Sequence, residues 1–343
     1  MEGFRDVFLG KIEGNRTPCL GVRLPATVSR MRRTGTVIAN DSLLLLTAVI
    51  WGLAFVAQRI GMDHVGPFTY NAVRFALGSL VLLPFVVARR RPWVPPPGAA
   101  GRAPRIGAIP AGLIAGAVLV FGASLQQIGL VSTTAGKAGF ITGLYVVLVP
   151  LSGLLWAQRT GVTAWLGAVL CVVGLFFLSV TAELTVEPGD LFVLAGSVFW
   201  AAHVQVVGWL SPRTDPVRLA CVQFAVCSVV SAGGALLTEQ VSATALLAAA
   251  GPILYGGILS VGIAYTLQVV AQRSAPPAHA AILLSLESVF AALGGSLLLG
   301  ERLGTRGALG CALMFAGMIV SQAPMLAAQR ATPRAASRTA DPP

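Results

Sequence analysis

The stretch from Ser124 to Pro150, SLQQIGLVSTTAGKAGFITGLYVVLVP, predicts the fold of this chain. It carries one charge, Lys137, in 27 residues. We expect an apolar helix to end near Gly129, a polar connector to run from Ser132 to Lys137, and a second apolar helix to begin at Ala138. A helix satisfies its own backbone hydrogen bonds, so two apolar helices with a short turn can cross a membrane as a hairpin.

A second copy of this hairpin lies further along the chain. Thr266–Ala292, TLQVVAQRSAPPAHAAILLSLESVFAA, aligns with the first copy at a constant offset of 142. Gln126 falls on Gln268, and Tyr145 stands where the second copy has Glu287. We therefore expect the rest of the chain to be a scaffold that brings the two hairpins together.

Composition indicates a polytopic membrane protein. The chain has 343 residues, of which 55% are hydrophobic and only 11% are charged, whereas soluble domains carry about 25% charged residues. The net charge of +11 would indicate nucleic acid in a soluble protein. Here most Lys and Arg lie between apolar runs or at the termini, so we expect membrane lipid around the chain and no nucleic-acid partner. The five cysteines show no metal-ligand spacing, and we expect no metal and no cofactor.

The apolar runs supply ten candidate spans, because one crossing needs roughly 20 apolar residues. The expected fold is all-α, with ten transmembrane helices. The runs are 42–59, 67–88, 107–128, 138–157, 162–181, 190–210, 217–237, 248–270, 277–298 and 307–325.

The distribution of Lys and Arg predicts the orientation. With the N-terminus inside, 19 basic residues fall on the cytoplasmic side and four on the outside. This predicts a multi-pass protein of the cell (inner) membrane with both termini in the cytoplasm. Residues 1–41 are expected to be an N-terminal cytoplasmic tail and 326–343 a disordered one. Met31 is a plausible true start, which would make residues 1–30 an over-extension.

The duplication extends beyond the hairpins. LLTAVIWGLAFVAQ (45–58) aligns with LAGSVFWAAHVQVV (194–207) at an offset of 149, and Gly167 matches Gly310 at 143. The chain is therefore predicted to be two five-span halves, 42–181 and 190–325. Because five is odd, the halves must enter the membrane from opposite sides. Such inverted repeats place a substrate site near the midplane between them.

The quoted motifs resemble those of a known family. They are IWG (50–52), VRF (73–75), QQIGLVSTTAGKAGFITGLYVVLVP (126–150) and LLSLESVFAALGGSLLLGE (283–301). The chain resembles the drug/metabolite transporter superfamily, specifically its ten-span EamA-type permeases, over roughly residues 42–323. The resemblance implies transport of small organic solutes such as amino acids, other metabolites or drugs, often by export.

Three acidic or basic residues, Arg74, His203 and Glu287, lie in the cores of the predicted spans, away from their ends. Glu287 must be protonated, paired or facing a water-filled cavity; it is a candidate for proton coupling or for binding a substrate ammonium, or it is a structural group. Arg74 is a candidate for binding an anionic group or an internal acid, unless it extends to the membrane surface. His203 could relay protons or simply hydrogen-bond between helices.

Uncharged candidates fall into two groups. Amides can bind polar substrates or join helices, and aromatic rings can line a cavity or anchor at the membrane surface. The amides are Gln126, Gln127 and Gln268, and the aromatic candidates are Trp51, Trp200 and Tyr145, with Tyr70, Tyr255 and Tyr265 as further rings of this kind.

The sequence thus predicts a secondary transporter that works by alternating access, exports small molecules and is not an enzyme. No G-x-x-x-x-G-K-[ST] motif is present, so ATP coupling within this chain is not expected. Coupling to protons is a hypothesis that depends on Glu287. A homodimer is possible on the sequence, which does not determine the oligomeric state. A non-transporting scaffold or channel is an alternative. An intramembrane enzyme is another, although the three histidines are scattered along the chain.

Overall fold

A computed structural model describes residues 26–88, 93, 105–158, 160–179, 187–300 and 304–330. Most of the predicted tails, 1–25 and 331–343, lies outside the described residues. The helices are α1 (Ala26–Gly61), α2 (Pro67–Ala88), α3 (Ala108–Gly129), α4 (Ala135–Gly143), α5 (Tyr145–Leu155), α6 (Val162–Ser179), α7 (Pro188–Leu210), α8 (Pro216–Thr238), α9 (Ala243–Ala248), α10 (Ala250–Leu254), a π-helix (Tyr255–Tyr265), α11 (Thr266–Ala271), α12 (Pro277–Leu284), α13 (Glu287–Leu299) and α14 (Thr305–Arg330).

Proline marks the start of four of these helices. Pro67, Pro188, Pro216 and Pro277 are the first residues of α2, α7, α8 and α12. Proline suits this position because the N–H group of the first helical residue has no hydrogen-bond acceptor within the helix. The short connectors that separate the apolar runs therefore also fix where the next helix begins.

The described helices form a membrane protein. Within the described ranges, eight helical stretches are long and apolar enough to cross a bilayer, and Val162–Gly174 and Thr305–Ser321 are shorter apolar helices. Large apolar side chains such as Leu155, Leu237 and Leu297 are more than 80% exposed. This exposure would be unfavourable in water, but lipid tails are as apolar as leucine. The prediction of an all-α polytopic membrane protein is confirmed.

Several boundaries differ from those expected. α1 begins at Ala26, so residues 26–41 of the predicted tail are helical, and α14 continues to Arg330. The run 248–270 is not one α-helix: α10 leads into the π-helix and then α11. π-helical segments are rare and often lie at functional sites. Hydropathy alone cannot distinguish a π-helix from an α-helix, since both are equally apolar.

Two spans are interrupted near their middles. The runs 138–157 and 277–298 were expected to be continuous, but a turn at Leu144 separates α4 from α5 and a turn at Ser285–Leu286 separates α12 from α13. Tight i→i+3 hydrogen bonds replace the α-helical pattern there, as in Leu144 N to Ile141 O at 3.2 Å. Consequently Tyr145 and Glu287 are the first residues of their half-helices.

α2 packs along α8 through a matched pair of hydrogen bonds. Ser79 Oγ donates to the carbonyl of Cys221 at 3.2 Å. Ser228 Oγ donates to the carbonyl of Ala72 at 2.9 Å. Each helix thus supplies one hydroxyl donor and one backbone acceptor to the other.

α6 packs along α14 through glycine. A Cβ atom on Gly167 would lie 2.7 Å from the carbonyl oxygen of Gly317, and one on Gly174 would lie 2.6 Å from that of Gly310. The earlier glycine of one helix meets the later glycine of the other, so the two helices run antiparallel. Their backbones approach closely because no side chain separates them.

Candidate functional site

A cavity lies among the helices, lined by residues from both predicted halves of the chain. Eight of the nine candidate residues line it. They are Trp51, Arg74, Gln126, Tyr145, Trp200, His203, Gln268 and Glu287. The ninth, Gln127, is not among the lining residues, and its Nε2 lies 3.5 Å from the carbonyl oxygen of Gln58 in a long hydrogen bond.

Arg74 is buried in α2, with 1% of its surface exposed, so it does not extend to the membrane surface. Its Nε donates to Asn71 Oδ1 at 2.9 Å, and its guanidinium carbon lies 4.8 Å from the centre of the Phe75 ring. Nη2 has no hydrogen-bond partner among the described residues. A guanidinium with an unused donor beside a cavity can bind a carboxylate.

Glu287 is 3% exposed and begins α13. The Tyr145 hydroxyl is its polar neighbour, and no ion pair joins it to Arg74 or to any other described residue. Its position at a helix start is favourable for a carboxylate, because that end of the helix carries partial positive charge. α1 approaches closely here, since a Cβ on Gly52 would lie 2.6 Å from the Glu287 carbonyl oxygen.

Both polar atoms of the Gln126 amide have partners within the protein. Its Oε1 accepts from Trp200 Nε1 at 2.8 Å, and its Nε2 donates to Gln58 Oε1 at 3.1 Å. Gln126 therefore joins α3 to α7 and α1, which is the structural role considered for an amide in a membrane.

The amide of Gln268 differs from that of Gln126, although the two align in the sequence. Gln268 is 1% exposed, and neither its Oε1 nor its Nε2 has a hydrogen-bond partner in the described part of the chain. A buried amide without partners costs roughly 1–3 kcal/mol. Both a donor and an acceptor are thus available at the cavity wall.

Trp51 hydrogen-bonds to the π-helix and not to Gln268. Its Nε1 donates to the carbonyl of Ser260 at 3.2 Å, and its ring lies 4.4 Å from that of Tyr265. The Trp200 ring is 6.1 Å from Tyr265 on another side. Three aromatic rings from α1, α7 and the end of the π-helix therefore form one apolar wall of the cavity.

His203 is 1% exposed in α7. Its Nε2 and Gln223 Oε1 lie 3.1 Å apart in a hydrogen bond between α7 and α8. The imidazole also meets Trp200 and Tyr265 edge to face, each at 6.1 Å between ring centres. His203 is thus both a cavity residue and a link between helices.

Several lining residues were not predicted. Gln58 and Phe55 follow Trp51 by seven and four residues, and Val204 follows Trp200 by four, so helical periodicity could have found them. Thr142 precedes Tyr145 by one turn. Ser260 gave no sequence signal, because its backbone carbonyl is involved. The unpredicted lining residues are Phe55, Gln58, Thr142, Val204 and Ser260, whereas Tyr265 was among the further rings expected to line a cavity.

An ion pair lies at the turn of the first hairpin. Lys137 Nζ contacts Asp190 Oδ2 at 2.7 Å, and Thr133 Oγ1 donates to Asp190 Oδ1 at 2.7 Å. Lys137 was expected in a connector, but α4 begins at Ala135, so Lys137 lies in its first turn. The contact fastens the first hairpin to the start of α7.

A second contact between a basic and an acidic side chain lies on the opposite face of the molecule. His279 Nε2 contacts Asp41 Oδ1 at 2.8 Å and joins α12 to α1. α1, α2 and α3 cross in succession, so the turn after Gly129 lies opposite Asp41. Neither pair was predicted, because each joins residues far apart in the sequence.

The cavity lies among membrane-crossing helices, so this is a multi-pass membrane protein with an internal site. Comparison with protein families identifies it as a membrane transporter. The model of the EamA-like transporter family matches residues 39–180 and again 187–322. The chain belongs to this family.

Two of its relatives are transporters by name. An "Uncharacterized transporter" of Archaeoglobus fulgidus is 31% identical over 265 residues, covering 76% of this chain and 78% of that protein. The "Uncharacterized inner membrane transporter YedA" of Escherichia coli K12 is 26% identical, covering 74% and 81%. One crystal structure superposes with a TM-score of 0.64 at 19% identity, covering 85% of this chain and 99% of that one. That likeness concerns the fold alone.

Proposed function

We propose that this protein is a secondary active transporter that exports small organic metabolites, amino-acid-like solutes or drugs, by alternating access. One observation carries the proposal. The cavity is lined by a guanidinium and a carboxyl that are not paired with each other among the described residues. Arg74 comes from the first family-matched segment and Glu287 from the second. A ligand between them would contact both segments.

The cavity favours a zwitterion with an apolar part. Arg74 would bind a substrate carboxylate, for which a guanidinium offers two parallel donors. Glu287 would receive an ammonium group or exchange a proton. The rings of Trp51, Trp200 and Tyr265 would contact the apolar part of the ligand, and Gln268 would supply the hydrogen bonds that it does not make within the protein.

We also propose ten spans arranged as two inverted repeats, 42–181 and 190–325, with 1–41 and 326–343 outside them. The hydrogen bonds between α2 and α8 support this. A shift of 149 carries Ala72 onto Cys221 and Ser79 onto Ser228, so each bond maps onto the other. Two-fold related elements contact each other in this reciprocal way.

The glycine contacts between α6 and α14 support the same axis. A shift of 143 carries Gly167 onto Gly310 and Gly174 onto Gly317. The contact between Gly167 and Gly317 therefore maps onto that between Gly310 and Gly174. The interruptions at Leu144 and Leu286 are likewise related by the hairpin offset of 142, and broken helices at matching positions are typical of transporter sites.

The two ion pairs provide candidate gates. A shift of 149 carries Asp41 onto Asp190, and one of 142 carries Lys137 onto His279. With both termini in the cytoplasm, the His279–Asp41 pair would close the cytoplasmic face and the Lys137–Asp190 pair the outer face. Each joins a hairpin of one half to the first helix of the other, so breaking one pair would open one face.

The experiment is a thermal-shift screen of the purified protein, because a bound ligand raises the Tm. The panel comprises the twenty amino acids, their methyl esters and N-acetyl forms, nucleosides, sugars and cationic dyes. We expect stabilisation by apolar amino acids that is lost in the ester and in the N-acetyl form. In Arg74→Gln, the acid and its ester should no longer differ. Stabilisation by sugars or nucleosides alone would contradict the proposed substrate class.

A further inference from the structure

The His279–Asp41 pair and the Lys137–Asp190 pair occupy corresponding positions in the two halves, yet their chemistry differs. Both contacts are short, 2.8 and 2.7 Å, and both are partly shielded, with side-chain exposures between 9% and 27%. The acid is aspartate in each pair. The base is lysine on one face of the membrane and histidine on the other.

The surroundings of the two aspartates differ as well. Asp190 has three partners, since Thr133 Oγ1 and the Glu187 N–H donate to it in addition to Lys137. The residue that corresponds to Thr133 in the second half is Ala275, which has no hydroxyl. Asp41 Oδ2 is buried and has no hydrogen-bond partner among the described residues.

These differences make the contact at Asp41 depend on one imidazole. Lysine stays charged through neutral pH, whereas histidine gains or loses its charge between about pH 5 and 8. A protonated His279 forms an ion pair with Asp41, and a neutral one leaves only a weaker hydrogen bond.

We propose that His279 and Asp41 form a proton-sensitive gate, which holds one face of the transporter closed at acid pH and releases it as the pH rises. The Lys137–Asp190 pair on the opposite face does not respond in this range. The pH therefore determines which face opens, and it acts on a contact that lies outside the cavity. The inference rests on the proposed alternating access.

Other groups that can carry charge lie on the elements around α12. Arg273 is in the turn before it, and α1 carries Arg32 and Arg33 about two turns before Asp41. The elements packed against α12 also carry Arg59, Tyr145, Cys171, Asp190, His203, Arg306 and Cys311, and Arg213 follows the end of α7 that lies beside Pro277. His203 lies in the central cavity and bonds to Gln223. Of the residues with described side chains, Asp41 is the acid in contact with the His279 ring.

The test measures the opening of each face against pH without a substrate. Nitroxides are placed on exposed positions of cysteine-free protein in lipid nanodiscs, at Ser42 and Ser274 for one face and at Val131 and Leu191 for the other. Magnetic resonance then gives the ratio of open to closed distances at pH 5.5 and pH 8. An ion pair of this exposure changes such a ratio by roughly three- to fivefold.

The matched variants exchange the two bases. We expect the face at His279 to open three- to fivefold more at pH 8 than at pH 5.5, and the opposite face to change in the reverse sense. His279→Lys and Asp41→Asn should each abolish the pH response. The double variant Lys137→His with His279→Lys should reverse its sign.

Two results would overturn the inference. One is a distance ratio at the His279 face that does not change with pH in the native sequence. The other is a pH response that survives His279→Lys, because another group would then be responsible. In that second case the two faces still open alternately, so the proposed transport mechanism would stand while the gate would not. If the two faces never open alternately, the gate and the proposed transport mechanism are both contradicted.

Discussion

Trp200 Nε1 donates to Gln126 Oε1 at 2.8 Å, while the aligned pair Trp51 and Gln268 makes no such bond. The two halves thus carry the same residues in different arrangements. In the first arrangement the Gln126 amide joins helices. In the second, the Trp51 indole donates to the carbonyl of Ser260, and the Gln268 amide lies at the cavity without a hydrogen-bond partner among the described residues.

Replacing each amide by leucine should therefore have opposite effects. Gln126→Leu leaves Trp200 Nε1 and Gln58 without their partner, and we expect a loss of about 1–3 kcal/mol of stability. Gln268→Leu removes two unsatisfied atoms, and we expect an unchanged or higher Tm without ligand together with weaker ligand binding. Thermal unfolding with and without the strongest ligand of the screen measures both. Equal destabilisation by the two variants would show that Gln268 is structural.

The glycine contact between α6 and α14 should be sensitive to single methyl groups. Gly167→Ala places a Cβ 2.7 Å from the Gly317 carbonyl oxygen, and the helices must separate, at a cost of about 1–3 kcal/mol. Gly233→Ala is the control, because nothing lies within 4 Å of its Cβ position. Unfolding of both variants in detergent measures the difference. A tolerated Gly167→Ala would mean that these backbones are not in contact.

Glu239 should stabilise the start of α2. Its two carboxylate oxygens accept from the backbone N–H groups of Phe68 and Thr69, each at 2.8 Å. Removing such a cap costs about 1–2 kcal/mol. Asp63→Ala is the control, since it breaks only the exposed contact with Arg59, which is worth about 0–1 kcal/mol. We expect Glu239→Ala to lower the Tm by more than Asp63→Ala does.

Glu287→Gln should separate proton coupling from binding. If export is coupled to protons entering the cell, an imposed pH gradient in proteoliposomes drives the substrate toward the acidic side. Glutamine keeps the shape of the side chain but cannot release a proton, so we expect this accumulation to disappear while the variant folds normally. Size-exclusion profiles check the fold. Full pH-driven accumulation in Glu287→Gln would remove Glu287 from the coupling mechanism.

Hydropathy and the internal alignment predicted much of the fold. The apolar runs located the eight described stretches that are long and apolar enough to cross a membrane, because a spanning segment must satisfy its backbone hydrogen bonds within its own helix. The repeat offsets aligned Trp51 with Trp200 and Gln126 with Gln268. The interruptions before Tyr145 and Glu287 could not be predicted, since leucine and serine continue a helix readily. The π-helix and the partners of Lys137 and His279 depend on contacts distant in sequence. For the same reason, the sequence could not distinguish the hydrogen-bonded amide of Gln126 from that of Gln268, which has no partner among the described residues.

Counterflow in proteoliposomes tests the central claim most directly. Vesicles loaded with an excess of the unlabelled ligand from the screen receive a trace of the labelled ligand outside, with no ATP present. We expect a transient accumulation of label above equilibrium, which saturates with ligand concentration and is lost in Arg74→Ala. Flux that rises linearly with concentration and never exceeds equilibrium would contradict an alternating-access carrier and indicate a channel.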